Sequence, residues 1–130
     1  MVCLDSDILV AATRNDRAAV SKIEELDLAG ERRTVTPITI TELYKGAYKS
    51  GSVQNISKAE ELFSFLEVIE YDFDAAREAG RIFALLEQGG SKIGDMDTLI
   101  GAIALRHGET LLTRNAKHFA KIPGLKVEKW

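Results

Sequence analysis

Residues 94–119, GDMDTLIGAIALRHGETLLTRNAKHF, decide the class of fold. From Thr98 to Arg106 the apolar residues Leu99, Ile100 and Ile103 recur at helical spacing, and His107-Gly108 ends the run. Thr110 to Thr113 follows at once as a short apolar strand. A helix handed directly to a short buried strand is the building unit of an α/β protein. Two acids, Asp95 and Asp97, open the helix, and polar residues, Arg114 and Asn115, close the strand. In α/β sheets polar chemistry gathers at the carboxyl ends of strands, which is where Asn115 falls.

The same alternation extends over the chain. Val2–Leu4, Thr34–Thr36, Val68–Tyr71 and Thr110–Thr113 read as strands, with Val127–Trp130 a candidate fifth. Between them, Arg17–Leu28, Thr39–Tyr48, Ile56–Leu66 and Asp72–Glu87 carry helical periodicity, and a further helix begins near Ile8. Asp72 is a natural N-cap and Gly89-Gly90 a natural stop. The expected fold is therefore three-layer α/β/α, with a short central, mostly parallel sheet. At 130 residues without an internal repeat or a long linker, the chain reads as one domain, 1–130.

Composition narrows the class. The charged and hydrophobic fractions are those of an ordinary soluble protein. No apolar run is long enough to span a bilayer, and Asp5 interrupts the N-terminal apolar stretch, so no membrane association is expected. The single cysteine, Cys3, lies in an apolar strand and excludes an internal disulfide, in keeping with a reducing cytoplasm. The net charge is −3, but its distribution is uneven. Arg106, Arg114, Lys117, Lys121, Lys126 and Lys129 outnumber Glu109 and Glu128 toward the C-terminus, which leaves the rest acidic. A basic segment beside an acidic site suits a phosphate backbone next to a bound cation.

Five acids stand inside otherwise apolar runs: Asp5 and Asp7 in MVCLDSDILVAA, Glu42 in TPITITELYKGAY, and Asp95 and Asp97. Ionised acids in apolar surroundings cost several kcal/mol, about 3 or more, unless paired or bound to a cation. Oxygen donors of this kind suit Mg²⁺ or Mn²⁺. Each has a competing structural reading. Asp5, Ser6 or Asp7 fits the cap of the next helix. Thr39-Ile40-Thr41-Glu42 fits a capping box, with Thr39 at the cap and Glu42 closing it. Asp95 is expected in the loop or at the cap, with Asp97 in the first turn, where the helix dipole favours a carboxylate. His107 and His118 lack a partner at metal-ligand spacing and read as surface or loop residues.

In this order and spacing the strings CLDSDILVAA, TELYKGA, GDMDTLIGAIALRHGETLLTRNAKHF and IPGLKVEKW resemble the PIN-domain family, and within it the VapC-like ribonuclease toxins. The resemblance covers nearly the whole chain. It implies that Asp5, Glu42 and Asp97 are the catalytic acids that hold Mg²⁺ or Mn²⁺, with Asp95 as an additional acid. It implies that Ser6, Asp7, Thr113 and Asn115 support the site, Ser6 or Thr113 through a hydrogen bond to phosphate or water, and that Arg114 and Lys117 steer RNA. It implies RNA as substrate, a VapB-like antitoxin and a homodimer as partners. The chain departs from the family's pattern in TRNAKHF, where Asn115 and His118 stand where a fourth acid is common. Two other readings compete with this one. In a haloacid-dehalogenase-like phosphatase, Asp5-Ser6-Asp7 would be a nucleophile pair. In a non-catalytic PIN-like module, the acids would bind without turnover.

Overall fold

The computed structural model describes residues 1–130. The chain runs β1 (Val2–Leu4), α1 (Ser6–Thr13), α2 (Arg17–Leu28), β2 (Arg33–Val35), α3 (Pro37–Ser50), α4 (Val53–Phe63), β3 (Glu67–Val68), α5 (Phe73–Gln88), α6 (Asp95–Arg106), β4 (Thr110–Leu112), α7 (Ala116–Phe119) and β5 (Val127–Glu128). The strands form one sheet in the order β3-β2-β1-β4-β5, and every pairing is parallel. The expected α/β/α architecture is what forms.

Alternation along β1 splits the core into two layers. Val2 and Leu4 face Ile8 and Leu9 of α1, Ala19 and Leu26 of α2, and Leu43 of α3. Cys3 faces the opposite side, with Ala75, Ala79 and Ile82 of α5, Ile100 and Ile103 of α6, and Phe119 of α7. Burial pushes the Cys3 thiol up to about 12, so it is an inert core residue. Strand order reverses at β1: the chain builds outward through β2 and β3, then returns to place β4 on the other side. The carboxyl ends of β1 and β4 therefore flank a topological switch point, the usual ligand crevice of an open α/β sheet.

Three boundaries differ from those expected of the sequence. Pro37 starts α3 instead of only ending β2, because a proline at the first helical position gives up a donor that would have no partner anyway. Thr36 is the cap, and its hydroxyl accepts from the Thr39 N–H at 3.1 Å. Thr39 is thus inside the helix and the expected capping box with Glu42 does not form. The α4 helix opens at Val53, capped by Ser52 just after Gly51 turns at φ 65°. The third strand is only Glu67–Val68: Ile69 N–H bonds Val35 at 3.0 Å, and Asp72 then caps α5 through Ala75 N–H at 2.8 Å.

Close packing fixes the helix that carries Asp97. A Cβ at Gly101 of α6 would stand 2.3 Å from Ile122 Cδ1, well inside contact distance. Only glycine lets α6 lie this close to the segment after α7. No helix is long and apolar enough to cross a membrane.

Candidate active site

Asp5 follows the last residue of β1 and caps α1: Oδ1 accepts from Ser6 N–H at 2.8 Å. Oδ2 accepts from the Thr113 hydroxyl, also at 2.8 Å, from the end of β4 on the other side of the switch point. The capping and functional readings of Asp5 are thus both met by one carboxylate. It is 5% exposed, and burial raises its pKa from 3.8 to about 7, with the charges of Asp7 and Asp97 adding to the rise and the Thr113 and Ser6 hydrogen bonds opposing it.

Glu42 arrives from the second turn of α3 and Asp97 from the first turn of α6. Both carboxyls are raised, first by burial. Asp97 charge lifts Glu42 further, while Ser6 and Lys45 pull it down; His118 pulls Asp97 down and Asp7 pushes it up. Acids from three separate elements therefore feel one another electrostatically. Freed of any cap, Glu42 leaves Oε1 buried without a hydrogen-bond partner. No lysine or arginine forms an ion pair with Asp5, Asp7, Glu42 or Asp97. Buried, mutually repelling carboxylates, one with an orphaned oxygen and none in an ion pair with lysine or arginine, favour a bound cation. An all-oxygen donor set fits a hard divalent ion.

In this conformation no three such side chains converge to hold an ion. Asp5 is turned to Thr113, Asp97 Oδ2 to His118 Nδ1 at 3.1 Å, and Asp7 to three donors at once. Asp7 accepts from the Thr113 hydroxyl at 3.0 Å, Arg114 N–H at 2.8 Å and Trp130 Nε1–H at 3.0 Å. Asp7 thus ties β4 and the C-terminal segment to α1. Thr113 is fully buried and its hydroxyl has one proton for two carboxylates, so it orients them and does not face solvent or phosphate.

The other sequence candidates fall into two groups. Ser6 is half-buried beside Glu42. Arg114, Asn115 and Lys117 lie along the rim beyond β4. Asn115 does not ligate an acid; its amide meets His118 Nδ1 at 2.8 Å. Asp95 stands apart: it is exposed at the start of α6, in a small pocket with Phe83, Lys92 and Thr98. It is not among the charges that raise Asp5, Glu42 or Asp97. Two site residues carry no clear mark in the sequence pattern. His118, expected as a surface or loop residue, faces Asp97 because the short α7 helix turns it inward. Trp130, expected as the end of a strand, contacts Asp7. The stretch in which Asn115 and His118 take the place of an acid is the one signal for His118. Nothing in the sequence marks Trp130. His107 lies away from the acids, its Nε2 2.8 Å from the Glu70 carbonyl oxygen.

Comparison with known proteins gives a consistent picture. The PIN-domain family profile matches residues 2–125. The chain is 33% identical over 128 residues to the tRNA(fMet)-specific endonuclease VapC of Salmonella typhimurium, covering 98% of this chain and 96% of that one. It is 35% identical over 130 residues to ribonuclease VapC2 of Rickettsia felis, with the same coverage. Among solved structures it is similar to a chain of VapBC2 from Rickettsia felis bound to a promoter DNA fragment. The TM-score is 0.88 at 32% identity, with 100% of this chain and 99% of that chain covered. DNA-bound VapBC from Salmonella typhimurium gives the same TM-score, identity and coverage.

Proposed function

This chain belongs to the PIN-domain family, and we propose that it is a divalent-metal-dependent endoribonuclease that hydrolyses RNA phosphodiester bonds as the toxin of a toxin–antitoxin pair. One observation supports the chemistry: the charge of Asp97, from α6, raises the pKa of both Asp5, at the end of β1, and Glu42, in α3, and no lysine or arginine forms an ion pair with any of the three. We assign these three as the catalytic acids that hold the cation, and Mg²⁺ or Mn²⁺ as the ion. A bound divalent ion there supplies Lewis acidity, lowering the pKa of water and offsetting charge on the phosphate.

The chain's own residues prepare that site. Ser6 N–H and Thr113 hold Asp5 in place, and Asp7 locks β4 against α1 so that Thr113 stays beside it. Asp95, whose charge is not among those acting on these acids, is left out of the ligand set in this reading. The phosphatase reading fails because the chain belongs to a different family. Residues 1–130 serve as one nuclease domain, acting in the cytoplasm.

Initiator tRNA is the first substrate to try, because relatives 33% and 31% identical are named for it. The antitoxin is VapB-like. Its seat is a groove of about 460 Å³ between α1, α3 and α4, lined by Val10, Arg14, Glu42, Leu43, Lys58 and Ala59. A basic side chain of the antitoxin entering there meets Glu42, which lines the groove. The apolar faces of α3 and α4 pack largely on each other: the Tyr44 and Phe63 ring centroids are 5.6 Å apart, and Leu43, Ala47 and Ala59 are buried. Tyr48, Val53, Phe65 and Phe73 remain exposed and are available to a homodimer partner.

The experiment is RNA cleavage by the purified chain in EDTA, then with Mg²⁺ or Mn²⁺ restored, beside Asp97→Asn. Cleavage that persists in excess chelator, or in Asp97→Asn at the wild-type rate, refutes the metal-site reading.

A further inference from the structure

Trp130 turns its indole back onto the rim of the active site. Its Nε1–H donates to Asp7 Oδ1 at 3.0 Å, and Arg114 lies over its ring, Cζ 3.7 Å from the centroid. The backbone N–H of Arg114 in turn donates to Asp7 Oδ2 at 2.8 Å. Trp130, Asp7 and Arg114 thus close a triangle at the end of β4. The Arg114 side chain stays half exposed and only brushes Asp16, at 3.6 Å. It lines a shallow depression of about 490 Å³ with Ser6, Asp7, Val10, Arg14 and Asp16, and Arg14 forms no ion pair.

An RNA phosphate approaching a group of carboxylates meets a repulsive field, so it needs a cation fixed at the rim. A flexible arginine near Asp7 and Asp16 would instead collapse onto one of them. Stacking limits this because it holds the flat face of the guanidinium, which leaves Arg114 no closer than 3.6 Å to Asp16. The half-exposed in-plane edge, held only by this long contact to Asp16, remains available to phosphate oxygens.

We infer that Trp130 is a positioning residue that holds Arg114 as the phosphate-gripping cation of the active-site rim, with Arg14 as the second cation of the same depression. Its ligand is the phosphodiester backbone next to the scissile bond. The inference rests on the nuclease reading above, but it concerns substrate binding and leaves the acids and their cation untouched.

The test is steady-state cleavage of a fluorescein-labelled single-stranded RNA in Mn²⁺ by the full chain and its variants, each with its melting temperature. Trp130→Ala should raise KM roughly three- to tenfold with kcat nearly unchanged, the loss of one stacking interaction and of a preset cation. Trp130→Phe keeps an aromatic face without the Nε1–H, so its KM should stay within about threefold of wild type. Arg114→Ala should raise KM at least as much as Trp130→Ala and reduce the salt slope of binding by about one. Adding Trp130→Ala to Arg114→Ala should then change KM no further. Should Trp130→Ala fail to fold, Trp130→Leu, with its apolar bulk but no π face, takes its place. Wild-type KM in the alanine or leucine variant overturns the inference. So does a Phe variant as impaired as alanine, or additive effects in the double variant. A fall in melting temperature and kcat at constant KM would make Trp130 a structural clamp only, which also overturns it. A wild-type chain that cleaves no RNA would strike the nuclease reading itself.

Discussion

Asp5→Asn should stabilise the metal-free protein at alkaline pH while removing its activity. Asp5 is 5% exposed, and its carboxyl rises from 3.8 to about 7 on folding, chiefly through burial. That rise corresponds to at most about 4 kcal/mol in favour of the protonated form. Below about pH 4 the group is protonated whether folded or unfolded, and there is no penalty. As pH climbs toward 7, the unfolded chain releases the proton and the folded chain keeps it, so stability falls; above about 7 the penalty is complete and constant. Between about pH 5 and pH 8 this one group should remove about 3 kcal/mol. Asparagine keeps the shape, still accepts a hydrogen bond, and carries no charge to desolvate. Thr113 can accommodate the amide by giving its proton to Asp7, 3.0 Å away. The assay is urea unfolding in EDTA at both pH values. The variant should lose less stability across the range than wild type and be the more stable protein at about pH 8. Saturating Mn²⁺ should then raise wild type far more than the variant, and RNA cleavage by the variant should fall on the order of a hundredfold. Parallel pH profiles for the two proteins, or a variant no more stable at about pH 8, would refute this account of Asp5.

Four further outcomes follow from the same geometry. Glu42→Gln should weaken Mn²⁺ binding by calorimetry about tenfold or more at an unchanged melting temperature, because Thr36 and not Glu42 closes the cap; a lowered melting temperature with intact affinity would return Glu42 to a structural role. His118→Ala removes the neighbour that pulls Asp97 down, so the acidic limb of the pH–rate profile should move to higher pH; an unmoved limb would uncouple the two residues. Gly101→Ala should cost about 1–3 kcal/mol in urea unfolding, since its Cβ would drive into Ile122 Cδ1; wild-type stability would show that α6 has room to shift. Excess EDTA should abolish RNA cleavage, with recovery on adding Mg²⁺ or Mn²⁺, and cleavage unaffected by chelator would end the metal-site assignment.

Much of the fold is legible in local pattern. Short apolar strands alternating with periodic helices pack as a parallel sheet between helical layers, so residues 94–119 already imply the architecture. Asp5, Asp7, Glu42, Asp95 and Asp97 are legible as candidates, because a carboxylate embedded in an apolar run calls for a partner, but spacing does not choose between Asp95 and Asp97. The Asp72 cap and the Gly89-Gly90 stop are local signals, and both bound α5 as expected. Local signals also mislead. Thr39 and Glu42 have the spacing of a capping box, but Pro37 admits an earlier helix start and Thr36 takes the cap, which frees the Glu42 carboxylate.

Short-range periodicity therefore sets the alternation of strands and helices and the split of apolar faces, and the cost of burying charge singles out a group of candidate acids without saying which of them act together. What only the tertiary structure decided is which polar groups meet. Thr113 reaches Asp5 across 108 positions and Trp130 reaches Asp7 across 123. Asp97 finds His118, and Asp95, two residues away from Asp97, points elsewhere. Those pairings depend on β4 returning beside β1 and on Gly101 letting α6 seat tightly against Ile122. Such contacts are fixed by the packing of the whole chain, and spacing along the sequence carries no record of them.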